Sequence, residues 1–230
     1  MSPVPLADPP SSSEAGTDAE ARRLAPGYGR WVHSSSSPDQ GAVSFPSTDG
    51  SAEAAASGSA EWTIRPVRPD EYERAGEVTA DAYLTSYGEL SDEYVASLRD
   101  VARRVHEGDV WVAVDEAGDI LGTVWVAREG KPLADMAQPG ETDFRQLAVA
   151  PAARGRGIGE ALTRHVIELA QERGSHRVVM NSGPEMTGAH ALYAKLGFQR
   201  LSEREGMWEV QPGRWIELYA FGYDLAPALR

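Results

Sequence analysis

The chain contains no cysteine. That absence removes disulfides, thiolate metal sites and any acyl-enzyme route through a protein thiol. Positive charge is scarce as well, with 22 Lys and Arg against 35 Asp and Glu and a formal net charge of −13. Backbone recognition of nucleic acid needs clustered Lys and Arg on one face, so no nucleic-acid partner is expected. No apolar run approaches the ~20 residues that span a bilayer, and the first residues lack the basic start and apolar core of a secretion signal. The expectation is a cytoplasmic protein with no membrane partner. The histidines at 33, 106, 165, 176 and 190 form no pair at a metal-ligand spacing such as HExxH, and no GxSxG elbow occurs. Metal and serine-hydrolase chemistry are therefore not expected.

What is present divides in two. Residues 1–60 are Ser-, Pro-, Gly- and Ala-rich ("MSPVPLADPPSSSEAGTDAE", "SSSSPDQ", "SAEAAASGSA") and hold few branched apolar side chains. They read as a disordered, solvated tail. Within it, "RRLAPGYGRWVH" sets Tyr28 and Trp31 beside three arginines; the segment is either an unstructured patch or a stretch that docks on a partner or on the chain's own domain. Residues 61–230 are enough for one folded domain with its own core.

The domain alternates strand and helix signals. "WTIRPV" reads as a strand, and Asp70 with Glu73 three residues on reads as the cap of a helix ending near Gly88. Ser91 caps a second helix with Val95, Leu98, Val101 and Val105 on one face and Gly108 beyond its end. "DVWVAVDEAGDILGTVWVARE" reads as a hairpin turning at Gly118. In "TDFRQLAVAP", Phe144 and Leu147 are three apart, so a β-bulge is needed to bring both to the core side. Ile158, Leu162, Val166 and Leu169 mark a helix ending at Gly174, "RVVMN" a buried strand, and "TGAHALYAKLG" a helix ending at Gly197. Two last strands are expected, around "FQRL" and "RWIELYAFGYDL". The right-handed crossover rule makes strands 142–149 and 177–181 parallel, with the helix from 158 packed across one face.

The stretch "LAVAPAARGRGIGEAL" carries the chemistry. A strand feeding a glycine turn that opens a helix aims unpaired backbone N–H groups and the positive end of the helix dipole at one point, which favours an anion. Gly155, Gly157 and Gly159 let the main chain approach a ligand, and Arg154 and Arg156 add charges suited to phosphate oxygens, so a pyrophosphate fits. A GxGxxG dinucleotide loop would need glycine where Glu160 stands, and the Gly-Lys-Ser/Thr of a P-loop never appears.

"ARGRGIGEAL" has the form Arg/Gln-x-x-Gly-x-Gly/Ala at Arg154, Gly157 and Gly159, and it closely resembles the acetyl-CoA loop of the GNAT superfamily of N-acetyltransferases. "FRQLAVAP" looks like that family's bulged strand and "ALYAKLGF" like its later helix, so the resemblance covers nearly the whole domain from Trp62 to Leu225. It implies an α/β fold: a mixed, mostly antiparallel sheet of about seven strands, with a central parallel pair splayed at a bulge and about four flanking helices. It implies acetyl-CoA as co-substrate, with the backbone of Leu147, Ala148 and Val149 along the pantetheine arm. N–H groups from Arg154 through Gly155, Arg156, Gly157, Ile158 and Gly159 to Glu160 would cradle the pyrophosphate. Asn181 would border the slot for the thioester.

Transfer from a thioester to an amine needs a deprotonated amine near the carbonyl, donors for the developing oxyanion and a proton for the thiolate. The resemblance places Tyr193 at the leaving sulfur, and an ordinary phenol pKa near 10 nearly matches that of a thiol. Glu141 and Asp143 precede the bulge and Glu185 lies across the slot. Asp143 is preferred as the general base because it matches an acidic position common in the family, with Glu141 or a water as alternatives. His190 reads as packing. Tyr83, Tyr87, Glu89, Asp92, Glu93, Trp125 and "REGMWEVQPGR" are left to shape the site for an amine acceptor, a small molecule or a peptide. Two function classes stand: an acetyl-CoA-dependent N-acetyltransferase, or a domain that binds acyl-CoA without turnover. Pairing of two copies as a homodimer stays open.

Overall fold

The computed structural model describes residues 31–33, 62–211 and 214–226. Its strands are β1 (Trp31–His33), β2 (Trp62–Pro66), β3 (Gly108–Asp115), β4 (Ile120–Ala127), β5 (Glu141–Val149), β6 (Arg177–Ser182), β7 (Gln199–Arg200), β8 (Gly206–Gln211) and β9 (Arg214–Asp224). The α-helices are α1 (Tyr72–Tyr87), α2 (Asp92–Arg99), α3 (Val101–Glu107), α4 (Ile158–Glu172) and α5 (Thr187–Leu196). The strands form one sheet in the order β1-β8-β9-β6-β5-β4-β3-β2, with β7 also on β9. Only β5 and β6 run parallel among the described pairs. This is the expected mixed fold, with nine strands and five α-helices among the described residues where about seven and four were expected.

The differences have local causes. The second expected helix breaks at Asp100, whose side chain accepts the Arg103 N–H at 3.0 Å and so starts a new helix, α3. The first helix is entered through a 3-10 turn at Pro69–Glu71 rather than capped by Asp70. There the Glu71 carboxylate accepts the Arg68 N–H at 2.9 Å and pairs with Arg65. Ser91 caps α2 as expected, accepting from the Tyr94 N–H. The stretch "REGMWEVQPGR", left by sequence to shape the acceptor site, contains β8, which folds back on β9 with Gln211 opposite Arg214. Trp31–His33, placed by sequence in the tail, runs antiparallel along β8 with Trp31 opposite Trp208. The rest of the expected tail lies outside the described residues.

β4 is buried along its whole length, as a strand covered on both faces must be, and its sequence is correspondingly apolar throughout. On one face, α4 lays Ile158, Leu162, Val166 and Ala170, all 0 or 1% exposed, against Val124, Val126, Phe144 and Val178. The 3.6-residue period of that stripe is why the helix docks on this side. Removing one such side chain, as in Leu162→Ala, costs about 2–5 kcal/mol. On the other face, α1 and α3 cover β3 and β4 through Ala75, Val101, Val110, Val112 and Trp125. No helix among the described residues is long and apolar enough to cross a membrane.

Candidate functional site

The site begins at the bulge. Gln146 has φ 52°, the only positive φ among described residues other than glycine, and the β4–β5 register slips there. One residue is thereby inserted, and Phe144 and Leu147 both reach the α4 side, as their spacing required. β5 pairs with β6 only from Glu141 to Asp143, opposite Arg177 to Val179. Beyond that, Arg145, Ala148 and Val149 pair with β4 and Asn181 with β9, so the parallel strands part and a slot opens between them.

At the C-terminal end of β5 the chain turns through Gly155 (φ 76°) and Gly157 (φ 81°) into α4. A left-handed conformation is one that residues with a Cβ adopt only at a cost, so these glycines are required by the turn itself. The N-terminus of α4 has no side-chain cap. The amides of Gly157, Ile158, Gly159 and Glu160 have no hydrogen-bond acceptor among the described residues. Uncapped first-turn amides of a fifteen-residue helix fit an anion, and thus a diphosphate. Arg154 does not point at them: its Nη2 donates to Ala82 O at 3.0 Å and Ser86 Oγ at 2.9 Å, tying the turn to the end of α1. Arg156 lies with its guanidinium 5.8 Å from the Trp62 ring. Glu160 pairs with Arg164 and Lys195.

Tyr193 projects from α5 into the space between the sheet and α4. Its ring is 2% exposed and packs edge-on to Phe144 at 6.2 Å and against Phe198 and Phe221. Its hydroxyl has no hydrogen-bond partner among the described residues. Burial pushes the phenol well above its ordinary value. The near-match to a thiol expected from sequence is lost, because the buried phenol holds its proton more tightly than a free one.

The two carboxylates expected to act as base are turned elsewhere. Asp143 is 0% exposed, and its oxygens accept the N–H groups of Leu133 (3.0 and 3.1 Å) and Ala134 (2.8 Å). It lies on the face that Ala134, Met136, Val179 and Ala220 close, and it anchors the loop after β4. Burial pushes its carboxyl up to about 6, against the pull of those amides and of Arg145. Glu141, with its side chain fully buried, accepts two bonds from Arg204 at 2.7 and 2.9 Å, one from Gln138 N–H at 2.9 Å, and has Arg177 at 3.7 Å. Both are occupied by the fold, and neither lines the pocket described next.

That pocket opens at the splay. Tyr83, Tyr87 and Tyr94 form one wall, in edge-to-face contact at 5.4 and 6.2 Å. Glu89 from the α1–α2 connection, Arg145 and Gln146 from the bulge, Asn181 and Ser182 from the end of β6, and Trp208 from β8 complete it. Glu89 is its one lining carboxylate among the described residues. Asp92, Glu93, Trp125 and Glu185 do not line it. Trp125 is instead buried, its Nε1 donating to Arg104 O at 3.0 Å. His190 sits just outside, its Nε2 3.2 Å from Ser182 Oγ and its ring against Phe221, with burial lowering its pKa. Arg145 was missed by sequence because its direction depends on which side of the bulge it falls.

Residues 72–198 match the acetyltransferase (GNAT) family. The chain is 30% identical over 140 residues to mycothiol acetyltransferase from Renibacterium salmoninarum, covering 60% of this chain and 40% of that protein. It is 42% identical over 62 residues to glucosamine 6-phosphate N-acetyltransferase 1 from Oryza sativa subsp. japonica, covering 27% of this chain and 36% of that one. The chain thus spans about two fifths of the length of these relatives. In fold it is similar to a GNAT acetyltransferase from Staphylococcus aureus Mu50 (TM-score 0.56, 14% identity, covering 72% and 99% of the two chains). It is also similar to yncA from Salmonella typhimurium, solved with its cofactor acetyl-CoA (TM-score 0.53, 22% identity, covering 74% and 96%).

Proposed function

Because the chain belongs to the acetyltransferase (GNAT) family, we propose that it moves an acetyl group from acetyl-CoA to a primary amine, on a small molecule or a peptide, by direct attack in a ternary complex. The observation that carries this reading is the row of uncapped first-turn amides at Gly157 to Glu160, set beside strands that part beyond Asp143. When bound, acetyl-CoA supplies the activated acetyl group. Gly157, Ile158, Gly159 and Glu160 would hold its diphosphate through N–H groups, with Gly155 and Gly157 giving the turn its shape. Leu147, Ala148 and Val149 would offer backbone along the slot, and Asn181 would stand at its mouth. Residues 61–230 form the catalytic unit on this reading.

The remaining roles fall to this chain's own side chains. Tyr193, held protonated by burial, donates a hydrogen bond in the slot where the sulfur leaves. Glu89 takes up the proton of the acceptor ammonium, directly or through a water, in place of Glu141 and Asp143. Arg154 keeps the turn closed on α1, so its contribution to binding is shape as well as charge.

One observation favours a second reading, an acyl-CoA-binding domain without turnover: both carboxylates before the bulge are engaged in the fold. Release of free thiol from acetyl-CoA over a broad amine panel separates the two. Turnover with any amine supports the transferase. Tight binding of CoA with no thiol release for any amine supports the binding domain.

A further inference from the structure

The acceptor pocket sets a guanidinium, Arg145, beside a wall of phenols. Its wall contains three phenols, Tyr83, Tyr87 and Tyr94, and none of their hydroxyls has a partner among the described residues. Burial raises all three above the ordinary phenol value, so they remain donors. Arg145, beside them, is partly buried, and its charge acts on both Tyr83 and Tyr94. Among the described residues its Nη1 donates to Leu133 O at 3.2 Å, and no carboxylate lies within ion-pair distance. The guanidinium carbon lies over the Trp208 ring, 5.1 Å from its centroid. A guanidinium has five N–H donors in a rigid fork, so a single bond to Leu133 O leaves donors for a ligand. A guanidinium with no carboxylate on it, flanked by phenol hydroxyls that can donate, is matched by a ligand group that brings acceptors.

We propose that the acceptor amine carries an anionic oxygen group, a carboxylate or a phosphate, received by the edge of Arg145 together with the hydroxyls of Tyr83 and Tyr94. The inference rests on the transferase reading and names its substrate class. The ammonium end of the same molecule lies toward Glu89, the carboxylate lining that pocket. In the transfer, the amine nitrogen bonds to the acetyl carbonyl carbon as the C–S bond breaks. The ammonium gives up two protons, one ending on the departing thiol and one in solvent. Arg145 touches the substrate away from the reacting atoms, so its loss acts on KM more than on kcat.

The test uses matched amines on the full chain: tyrosine against tyramine for a carboxylate, and phosphoethanolamine against ethanolamine for a phosphate. Thiol release from acetyl-CoA gives kcat and KM, and calorimetry with the same amines gives affinity independently of turnover. The anionic member of at least one pair is expected to lead its neutral partner by tenfold or more in kcat/KM and in affinity. Arg145→Gln should bring the ratio near one, chiefly through KM, and Arg145→Glu should turn the preference toward the neutral amine. Equal or better use of both neutral amines by the unmodified protein overturns the proposal, whatever the variants' folding. If no amine releases thiol, the transferase reading fails, and calorimetry still decides whether Arg145 selects an anion.

Discussion

The carboxylate of Asp143 accepts the backbone N–H of Ala134 at 2.8 Å. Through that bond a residue placed by sequence at the reaction centre becomes the anchor of the loop after β4. Burial raises its pKa to about 6 from an ordinary 3.8. Between those values the native state holds a proton that the unfolded chain has lost. Asp143 therefore contributes most to stability below pH ~4, and the contribution is lost as pH rises through about 6. Thermal melts from pH 4 to 7 should show this fall, and Asp143→Asn should flatten it. The same variant should keep kcat within several-fold at saturating amine. A loss of 10²-fold or more would return Asp143 to the role of base.

Tyr193→Phe retains the ring that packs on Phe144, Phe198 and Phe221. The melting temperature should stay within a degree or two of the parent, while kcat falls about 10- to 10²-fold from loss of the donor. A normal kcat would make Tyr193 a packing residue only.

Glu141→Gln leaves Arg204 facing a neutral amide in a pair whose side chains are 0% and 11% exposed. Breaking a buried pair on one side costs about 3 kcal/mol, so denaturant melts should show a loss of that order. CoA affinity, measured on the folded fraction, should not change.

Gly157→Ala puts a Cβ on a residue at φ 81° with no neighbour within 4 Å of it. The strain is conformational, about 1–2 kcal/mol, and it falls on the turn that presents the α4 amides. CoA should bind more weakly, whereas pantetheine, lacking the diphosphate, should be little affected. Equal losses for both would count against an anion at this turn.

Much of this was legible before the structure. The three-residue spacing of Phe144 and Leu147 required the bulge that Gln146 makes, and the Gly155–Gly159 run marked the helix entry, because both are local consequences of period and φ. The partners of Asp143 and Glu141 were not legible. Leu133 is ten residues from Asp143 and Arg204 is 63 from Glu141, so the facing of those carboxylates is set by loop closure and sheet order. Arg154 likewise read as a phosphate ligand, whereas its bonds to Ala82 and Ser86 reach across 72 and 68 residues. Arg145 became a site residue only once the bulge fixed which face it shares with Trp208.

The most direct measurement is an amide-resolved NMR titration of the full chain with CoA and, separately, with pantetheine. The account predicts that the N–H signals of Gly157, Ile158, Gly159 and Glu160 move with CoA and stay nearly still with pantetheine. Saturable CoA binding that leaves those four signals unmoved would contradict it.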